Sequence, residues 1–151
     1  MTQIRQEAEI DAPVERIFAA IVDLRGYDRW LATSRVFEGI TEISSDPIAL
    51  GTTWSERGPN GVRHGTVTDL KAPTRVTFHA PMTMSPRLLG VIDITVSLTL
   101  TPGPTSVHVQ RLVTIGIPWR LRLVQPIVVS QFRRESGRTL LALKHFAESQ
   151  R

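Results

Sequence analysis

Cysteine is absent from this chain of 151 residues. Disulfide bonds, thiolate nucleophiles and metal sites built on cysteine are therefore excluded, and the absence of disulfides fits a reducing compartment. Long apolar runs are also absent, because none approaches the roughly 20 residues needed to span a bilayer. The polar N-terminus, residues 1–6, lacks the apolar core of a signal peptide. We therefore expect a soluble, cytoplasmic protein.

Motifs for metal ions and nucleotides are missing as well. The histidines occur singly, without the spacing of a zinc site, at His64, His79, His108 and His145. Gly61 and Gly65 lack the further glycines and the lysine of a phosphate loop, and no Gly-x-Ser-x-Gly nucleophile motif occurs. The sequence thus predicts neither a metal ion nor a nucleotide cofactor.

Acidic side chains are scarce near the C-terminus. Residues 118–151 carry seven basic and two acidic residues, within a chain whose formal net charge is +4. A solvated helix face is the simplest interpretation; a weak contact with an anionic membrane surface or with an acidic protein partner is the alternative. No nucleic-acid recognition motif accompanies the charge, so nucleic acid is not an expected partner. Nothing in the sequence indicates an oligomeric state.

The rest of the composition is that of a globular protein, with 41% hydrophobic and 21% charged residues. A chain of this length ordinarily forms one domain. No internal repeat and no linker-like stretch interrupts it. We expect a single domain over residues 1–151.

Hydrophobic periodicity predicts the order of the elements. Alternation over residues 2–10 predicts a strand, and apolar residues at helical spacing over 14–21 predict a short helix. Asp23 is expected to cap a second short helix. After Pro118, helical spacing predicts a C-terminal helix of about 25–30 residues, bent at Pro126. Short turns separate the remaining strands, which favours an antiparallel sheet, at residues 36–44, 52–57, 62–71, 75–79, 89–100 and 106–115.

Four short motifs follow one another along this order. They are the helix entry Ala12-Pro13-x-x-x-Ile17-Phe18, the second-helix pattern Asp23…Tyr27…Trp30, the pair Gly51-Thr52 before the third strand and the pair Ala72-Pro73 between the fourth and fifth. With them, the chain resembles the START/polyketide cyclase-like (SRPBCC) superfamily, and within it the bacterial polyketide cyclase/dehydrase and lipid-transport branch. The resemblance covers nearly the whole chain as a pattern.

The resemblance implies an α+β helix-grip fold, in which a curved antiparallel sheet of about seven strands wraps around the long C-terminal helix and two short helices follow the first strand. It also implies an internal cavity between sheet and helix that binds a hydrophobic small molecule, such as a lipid or a polyketide. Because one fold hosts many functions, a metal-independent polyketide cyclase, aromatase or dehydratase is an alternative. A membrane-surface or protein-partner module that uses the basic C-terminal helix is another. A binding protein is favoured over an enzyme.

The candidate polar anchor for such a ligand is Arg111. In the last predicted strand it shares one side of the sheet with Val107, Val109, Val113 and Ile115. A charge in an apolar row must meet a carboxylate, a carbonyl or water, since an isolated buried charge costs several kcal/mol. Arg111 would then bind an acidic head group or polarise a ketone. The alternative is an arginine at the strand end that reaches solvent or pairs with a glutamate.

Eight further residues are candidates for the wall of the cavity. They are Trp54, Trp30, Val109, Val113, Val128, Trp119, Met82 and Met84. Packing is the alternative for Trp54 and Trp30, and an anchor at the start of the last helix is the alternative for Trp119. The two methionines lie in a segment that is expected to be a flexible lid or an ordinary connection. His64 and His79 are the candidates for an acid–base group near pH 7, whereas Glu56 and Asp93 are expected to face water.

Overall fold

One antiparallel sheet forms most of the molecule. The computed structural model describes residues 1–32, 38–58 and 61–150. Within these residues the sheet has eight strands: β1 (Thr2–Ile10), β2 (Ile40–Thr41), β3 (Thr53–Gly58), β4 (Gly61–Lys71), β5 (Arg75–His79), β6 (Met82–Met84), β7 (Val91–Pro102) and β8 (Val107–Gly116). The same residues form the helices α1 (Val14–Val22) and α2 (Gln125–Ser149) and, in chain order, a first, second and third 3₁₀ helix at Leu24–Arg29, Arg87–Leu89 and Trp119–Val124.

The strands lie in the order β1-β8-β7-β5-β4-β3-β2, and β6 pairs with both β4 and β7. Every pairing is antiparallel, as expected where short turns join most consecutive strands. The first and last strands of the chain pair along their whole length, from Thr2 opposite Ile115 to Ile10 opposite Val107. α2 packs against β1, β8 and α1 and so defines the inner face of the sheet.

Alternation along the strands decides which side chains lie beneath α2. In β7 every second residue turns inward, so that four aliphatic side chains are buried: Ile92, Ile94, Leu98 and Leu100. The residues between them include Asp93 and Thr95, which are only half-buried. The inner face is therefore apolar wherever this pattern is unbroken.

α2 is anchored through its C-terminal half. Its buried residues are Ser136, Leu140, Leu143 and Ala147, and none lies in residues 125–135. The last three of these join the larger apolar cluster of the core. The N-terminal half instead packs partly buried side chains against a smaller cluster. The two halves of the helix thus differ in how tightly they are held.

The fold agrees with the expected helix-grip class, since an antiparallel sheet of seven to eight strands lies with a long C-terminal helix. Pro126 does not bend this helix. It lies in the first turn, where its missing amide donor breaks no helical hydrogen bond, and a 3₁₀ helix precedes it. The strand predicted at 36–44 falls partly on residues 33–37, outside the described residues, and Ile40–Thr41 is the part seen paired with β3.

Met82 and Met84 belong to a short paired strand instead of a flexible lid. β6 pairs with β4 and with β7, so both of its edges take part in the sheet. Gly61 permits this approach, because a Cβ there would collide with the carbonyl oxygen of Thr83. The strand is only three residues long and has prolines close to both ends, so the sequence shows no strand periodicity there.

Trp54 is packed between two strands in a site that needs a glycine. Its indole lies directly on Gly65, its partner across β3 and β4, and meets the edge of the Phe78 ring with the ring centroids 5.3 Å apart. Trp54 is 4% exposed. A side chain at position 65 would therefore have to displace the indole.

We expect Gly65→Ala to lower the free energy of unfolding by about 1–3 kcal/mol, because the new methyl group overpacks the Trp54 site. Urea unfolding followed by tryptophan fluorescence measures this change. Gly116→Ala is the matched control, since its Cβ would make ordinary contacts with Asp93 and Met1 at 3.4 Å. Equal loss of stability in the two variants would contradict this account of Gly65.

Tyr27 ties the first 3₁₀ helix to α1. Its hydroxyl donates a hydrogen bond of 2.5 Å to the carbonyl oxygen of Ile21, and its ring lies 4.7 Å from that of Trp30. Burial, the largest cause, raises the pKa of the Tyr27 hydroxyl well above its ordinary value of 10.0. The phenol therefore stays neutral in the folded protein.

The chain has one tyrosine, so absorbance at the wavelength of phenolate reports Tyr27 alone. Because folding raises the pKa of Tyr27, its contribution to stability should be fully present below the ordinary value of about pH 10 and be lost as the pH rises toward the folded-state pKa. We expect no phenolate signal near pH 10 until the protein unfolds. Ionisation at that pH in the folded protein, checked by circular dichroism, would refute the burial of Tyr27.

Candidate functional site

Two cavities lie between the sheet and α2. We call them the arginine cavity, which Arg111 lines, and the methionine cavity, which Met82 and Met84 line. The volume of the arginine cavity is about 90 Å³, and that of the methionine cavity is about 70 Å³. Each has room for several water molecules. The two cavities share three lining residues, Glu56, Arg63 and Glu135.

The wall of the arginine cavity is mostly apolar and comes from all layers of the fold. The first 3₁₀ helix contributes Leu24 and Tyr27, and α2 contributes Thr139. The apolar part of the wall supplied by the sheet consists of Ile40, Trp54, Phe78, Ile94 and Val96. Apolar walls around a few polar groups are typical of small-molecule sites.

An ion pair lines both cavities. Glu56 and Arg63 lie opposite each other on β3 and β4, with 2.7 Å between Arg63 Nη2 and Glu56 Oε2. The other carboxylate oxygen of Glu56 accepts a hydrogen bond of 3.2 Å from Trp54 Nε1. Both side chains are largely withdrawn from solvent, at 15% exposed for Glu56 and 21% for Arg63. Glu56 was expected to face water, and that expectation is wrong, because it shares the inward side of β3 with Trp54.

Arg111 points inward from β8 and reaches α2. Its Nε donates a hydrogen bond of 2.9 Å to Ser136 Oγ, a buried residue of the helix. Among the described residues Arg111 forms no ion pair and no other side-chain hydrogen bond. Its terminal amino groups therefore have no hydrogen-bond partner among the described residues and are available to a molecule in the arginine cavity.

Burial is the largest cause acting on Arg111, and it lowers the pKa of this guanidinium. The nearby cation Arg63 lowers it further, whereas Tyr27, Glu56 and Glu135 act in the opposite direction. An arginine nevertheless stays protonated in proteins. The site therefore presents a half-buried positive charge whose hydrogen-bonding capacity is only partly used.

Five of the residues predicted for the site line the cavities. Arg111 and Trp54 line the arginine cavity, and Met82, Met84 and Val128 line the methionine cavity. The structure thus divides the predicted set between two neighbouring cavities. Periodicity alone does not indicate this division, because it depends on how the strands and α2 pack around the lining residues that both cavities share.

The other predicted wall residues do not line either cavity. Val109 and Val113 point inward beside Arg111, but they are packed within the two apolar clusters of the core. Trp30 stacks on Phe146 of α2, with 6.2 Å between the ring centroids. Trp119 begins the third 3₁₀ helix and is 73% exposed. The two valines and Trp30 therefore take part in packing, and Trp119 lies at the surface.

The two histidines considered for acid–base chemistry lie outside the cavities. His64 is exposed, with Nδ1 3.1 Å from Ser55 Oγ, and His79 Nε2 lies 2.6 Å from Asp93 Oδ1. Both alternate with inward residues of their strands, so they are on the outer face of the sheet. Neither is in a position to take a proton from a molecule held beneath α2.

Arg63, Glu135 and Thr139 also line the arginine cavity, and sequence reasoning did not select them. A signal for Arg63 existed, since it alternates with the buried residues Gly65 and Val67. Within the described residues no group of three or more histidine, aspartate and glutamate side chains is arranged to hold a metal ion. In that same part of the chain, no helix combines the length and the apolar character needed to cross a membrane.

Solved structures share this fold. A protein from Mesorhizobium loti matches with a TM-score of 0.75 and 15% identity, over 99% of both chains. A truncated norcoclaurine synthase from Thalictrum flavum matches with a TM-score of 0.72 and 15% identity, over 96% of this chain and 92% of that one. The Aha1 dimer from Colwellia psychrerythraea matches with a TM-score of 0.69 and 19% identity, over 98% and 97%. At these identities the likeness shows the fold alone.

No curated protein sequence matches the chain. The model of one family, described as polyketide cyclase / dehydrase and lipid transport, matches residues 1–148. This match covers nearly the whole sheet and α2, the elements that enclose the two cavities. The chain belongs to the polyketide cyclase/dehydrase and lipid-transport family.

Proposed function

We propose that this protein binds a hydrophobic small molecule, such as a lipid or a polyketide, between the sheet and α2. Arg111 holds the polar end of the molecule. The observation that carries this proposal is a guanidinium in an apolar row that lines a cavity and bonds the described residues only through Nε, to Ser136. The family to which the chain belongs supports the class of ligand.

The charge of Arg111 favours an acidic or carbonyl oxygen as its ligand. Glu56 has Arg63 at 2.7 Å and Glu135 has Arg138 at 2.6 Å, whereas no described carboxylate pairs with Arg111. A half-buried cation that no described carboxylate contacts directly is poorly compensated. A carboxylate matches the planar fork of a guanidinium and forms two parallel hydrogen bonds with it. The polar end of the guest therefore binds most favourably in the arginine cavity, next to Arg111.

The apolar lining of the methionine cavity indicates where the hydrocarbon part of the guest lies. Burial of apolar area contributes about 25 cal/mol per Å², and the methionine cavity offers Met82, Met84, Ile92, Val128 and Phe132 as its apolar lining. In this arrangement the hydrocarbon part extends from Arg111 past the Glu56–Arg63 pair toward the methionines. Methionine side chains adapt readily to guests of irregular shape.

Binding of a larger guest requires the two cavities to widen and join. Both are smaller than the several hundred Å³ typical of ligand pockets. Residues 125–135 of α2 bury no side chain fully, so this half of the helix is the part of the cover that can move at least cost. The anchored half keeps Ser136 and Arg111 in place.

Arg111→Gln should weaken binding of lauric acid by about 10- to 100-fold, because it removes a charge-assisted hydrogen bond that contributes roughly 1.5–3 kcal/mol. It should leave binding of dodecanol, which has the same chain and no charge, within about twofold. Isothermal titration calorimetry measures both affinities. The shared chain length isolates the contribution of the head group.

Arg5→Gln is the matched control, since Arg5 is exposed on β1. This variant should bind both probes as the unaltered protein does. Circular dichroism checks that the Arg111 variant folds. If the unaltered protein binds neither lauric acid nor dodecanol, the proposed function is wrong. Equal losses for both probes in Arg111→Gln would remove Arg111 as the anchor.

A further inference from the structure

Large apolar side chains project into solvent where the second and third 3₁₀ helices meet. Leu123 is 97% exposed, and the others are between 49% and 75% exposed. We call this set the apolar cap, and it consists of Leu88, Val91, Trp119, Leu123 and Ile127. Single exposed apolar residues are ordinary, whereas a group of them marks an interaction surface.

Contacts hold the two sides of the apolar cap together. Arg120 Nη1 donates a hydrogen bond of 2.5 Å to the carbonyl oxygen of Leu88. A Cβ at Gly90 would lie 3.3 Å from the ring of Pro118, which places the two backbones side by side. Residues more than thirty positions apart thus form one surface.

The two chain segments that carry the apolar cap contain basic residues and no acidic ones. Residues 80–92 and 116–134 contain five arginines and no aspartate or glutamate. The arginines are Arg87, Arg120, Arg122, Arg133 and Arg134. The acidic residues that follow these two segments are already engaged, Asp93 with His79 and Glu135 with Arg138. The segments that carry the apolar cap therefore combine exposed apolar side chains with a net positive charge.

We propose that the apolar cap inserts into the headgroup region of an anionic lipid bilayer. The chemistry matches on three counts. Exposed leucine and isoleucine side chains reach the acyl boundary, the indole of Trp119 suits the membrane–water interface, and the arginines attract anionic headgroups. The guanidinium of Arg120 lies over the Trp119 ring, 5.4 Å from its centroid, so both side chains are presented together.

A second copy of this chain fits the same surface poorly. A two-fold symmetric contact places the same patch of both molecules face to face. Five arginines of each copy would then approach the other five with no acidic residue in the two segments to pair with them. Anionic lipid supplies the missing counter-charge.

The apolar cap also borders the methionine cavity. Ile127 belongs to the cap, and the next residue of α2, Val128, lines the cavity together with Gln131 and Phe132. On the other side, Met84 lines the cavity three residues before Arg87. Docking would thus bring the loosely held half of α2 to the bilayer. This inference goes beyond the proposed function, since membrane docking does not require a guest in the cavity.

Sedimentation with vesicles tests the proposal. Vesicles of phosphatidylcholine mixed with phosphatidylserine should bind the protein, and vesicles of phosphatidylcholine alone should bind it at least about tenfold more weakly. Raising the NaCl concentration from about 0.1 M to about 0.5 M should weaken the binding, because it shortens the Debye length. No fatty acid is added, so the result is independent of the lauric acid titration, and either proposal can fail alone.

Two double variants locate the surface. Trp119→Ala with Leu123→Ser should lower vesicle binding about tenfold or more, and Arg87→Gln with Arg122→Gln should lower it about tenfold. The matched controls are Leu50→Ser with Leu141→Ser and Arg5→Gln with Arg57→Gln, which change exposed residues elsewhere and should bind as the unaltered protein does.

Three results would overturn the proposal. One is no binding of the unaltered protein to the anionic vesicles at low salt. Another is equal binding by the cap variants and the controls. The third is a dimer, seen by light scattering, that Trp119→Ala with Leu123→Ser converts to a monomer while vesicle binding stays unchanged. That last result would assign the apolar cap to self-association.

Discussion

The C-terminal half of α2 is held on the sheet by Leu140, Leu143 and Ala147, which are buried in the larger apolar cluster. Most of the stability of a helix in a protein comes from such burial. The position of α2 is therefore decided by this half, and residues 125–135 cover the cavities without a fully buried side chain of their own. Ser136 stands at the boundary between the two halves, where Arg111 reaches the helix.

Charges beneath α2 are costly, and most of them are compensated locally. Glu56 is satisfied from two sides, by Arg63 and by the indole of Trp54, and this bond helps to fix the ring that lies on Gly65. In a medium of low dielectric such bonds are strong and unpaired groups are expensive. Arg111 is an exception, because no described carboxylate pairs with it. An apolar residue in its place would be less costly to bury. The counter-charge that the proposed ligand would bring is the reason for placing its polar end at Arg111.

The first turns of α2 have two different surfaces. Ile127 faces solvent in the apolar cap, whereas Val128 and Phe132 line the methionine cavity. Successive residues of a helix point in different directions, and a helix with its side chains is about 10 Å thick. A bilayer contact on one side and a cavity on the other would then be separated only by this segment. The proposed docking surface and the proposed binding site are neighbours for this reason.

Local periodicity determined the kinds of element and many of their bounds: Arg75–His79 was predicted and is observed as a strand, and the inward direction of Arg111 follows from alternation in β8. The sequence alone did not decide which inward residues meet empty space, since Val109 and Val113 share the side of Arg111 and are buried in packed clusters. Nor did it reveal the apolar cap or the Glu56–Arg63 pair. Periodicity is a property of one element, but burial and pairing depend on the elements that pack against it, and those contacts exist only in the folded chain.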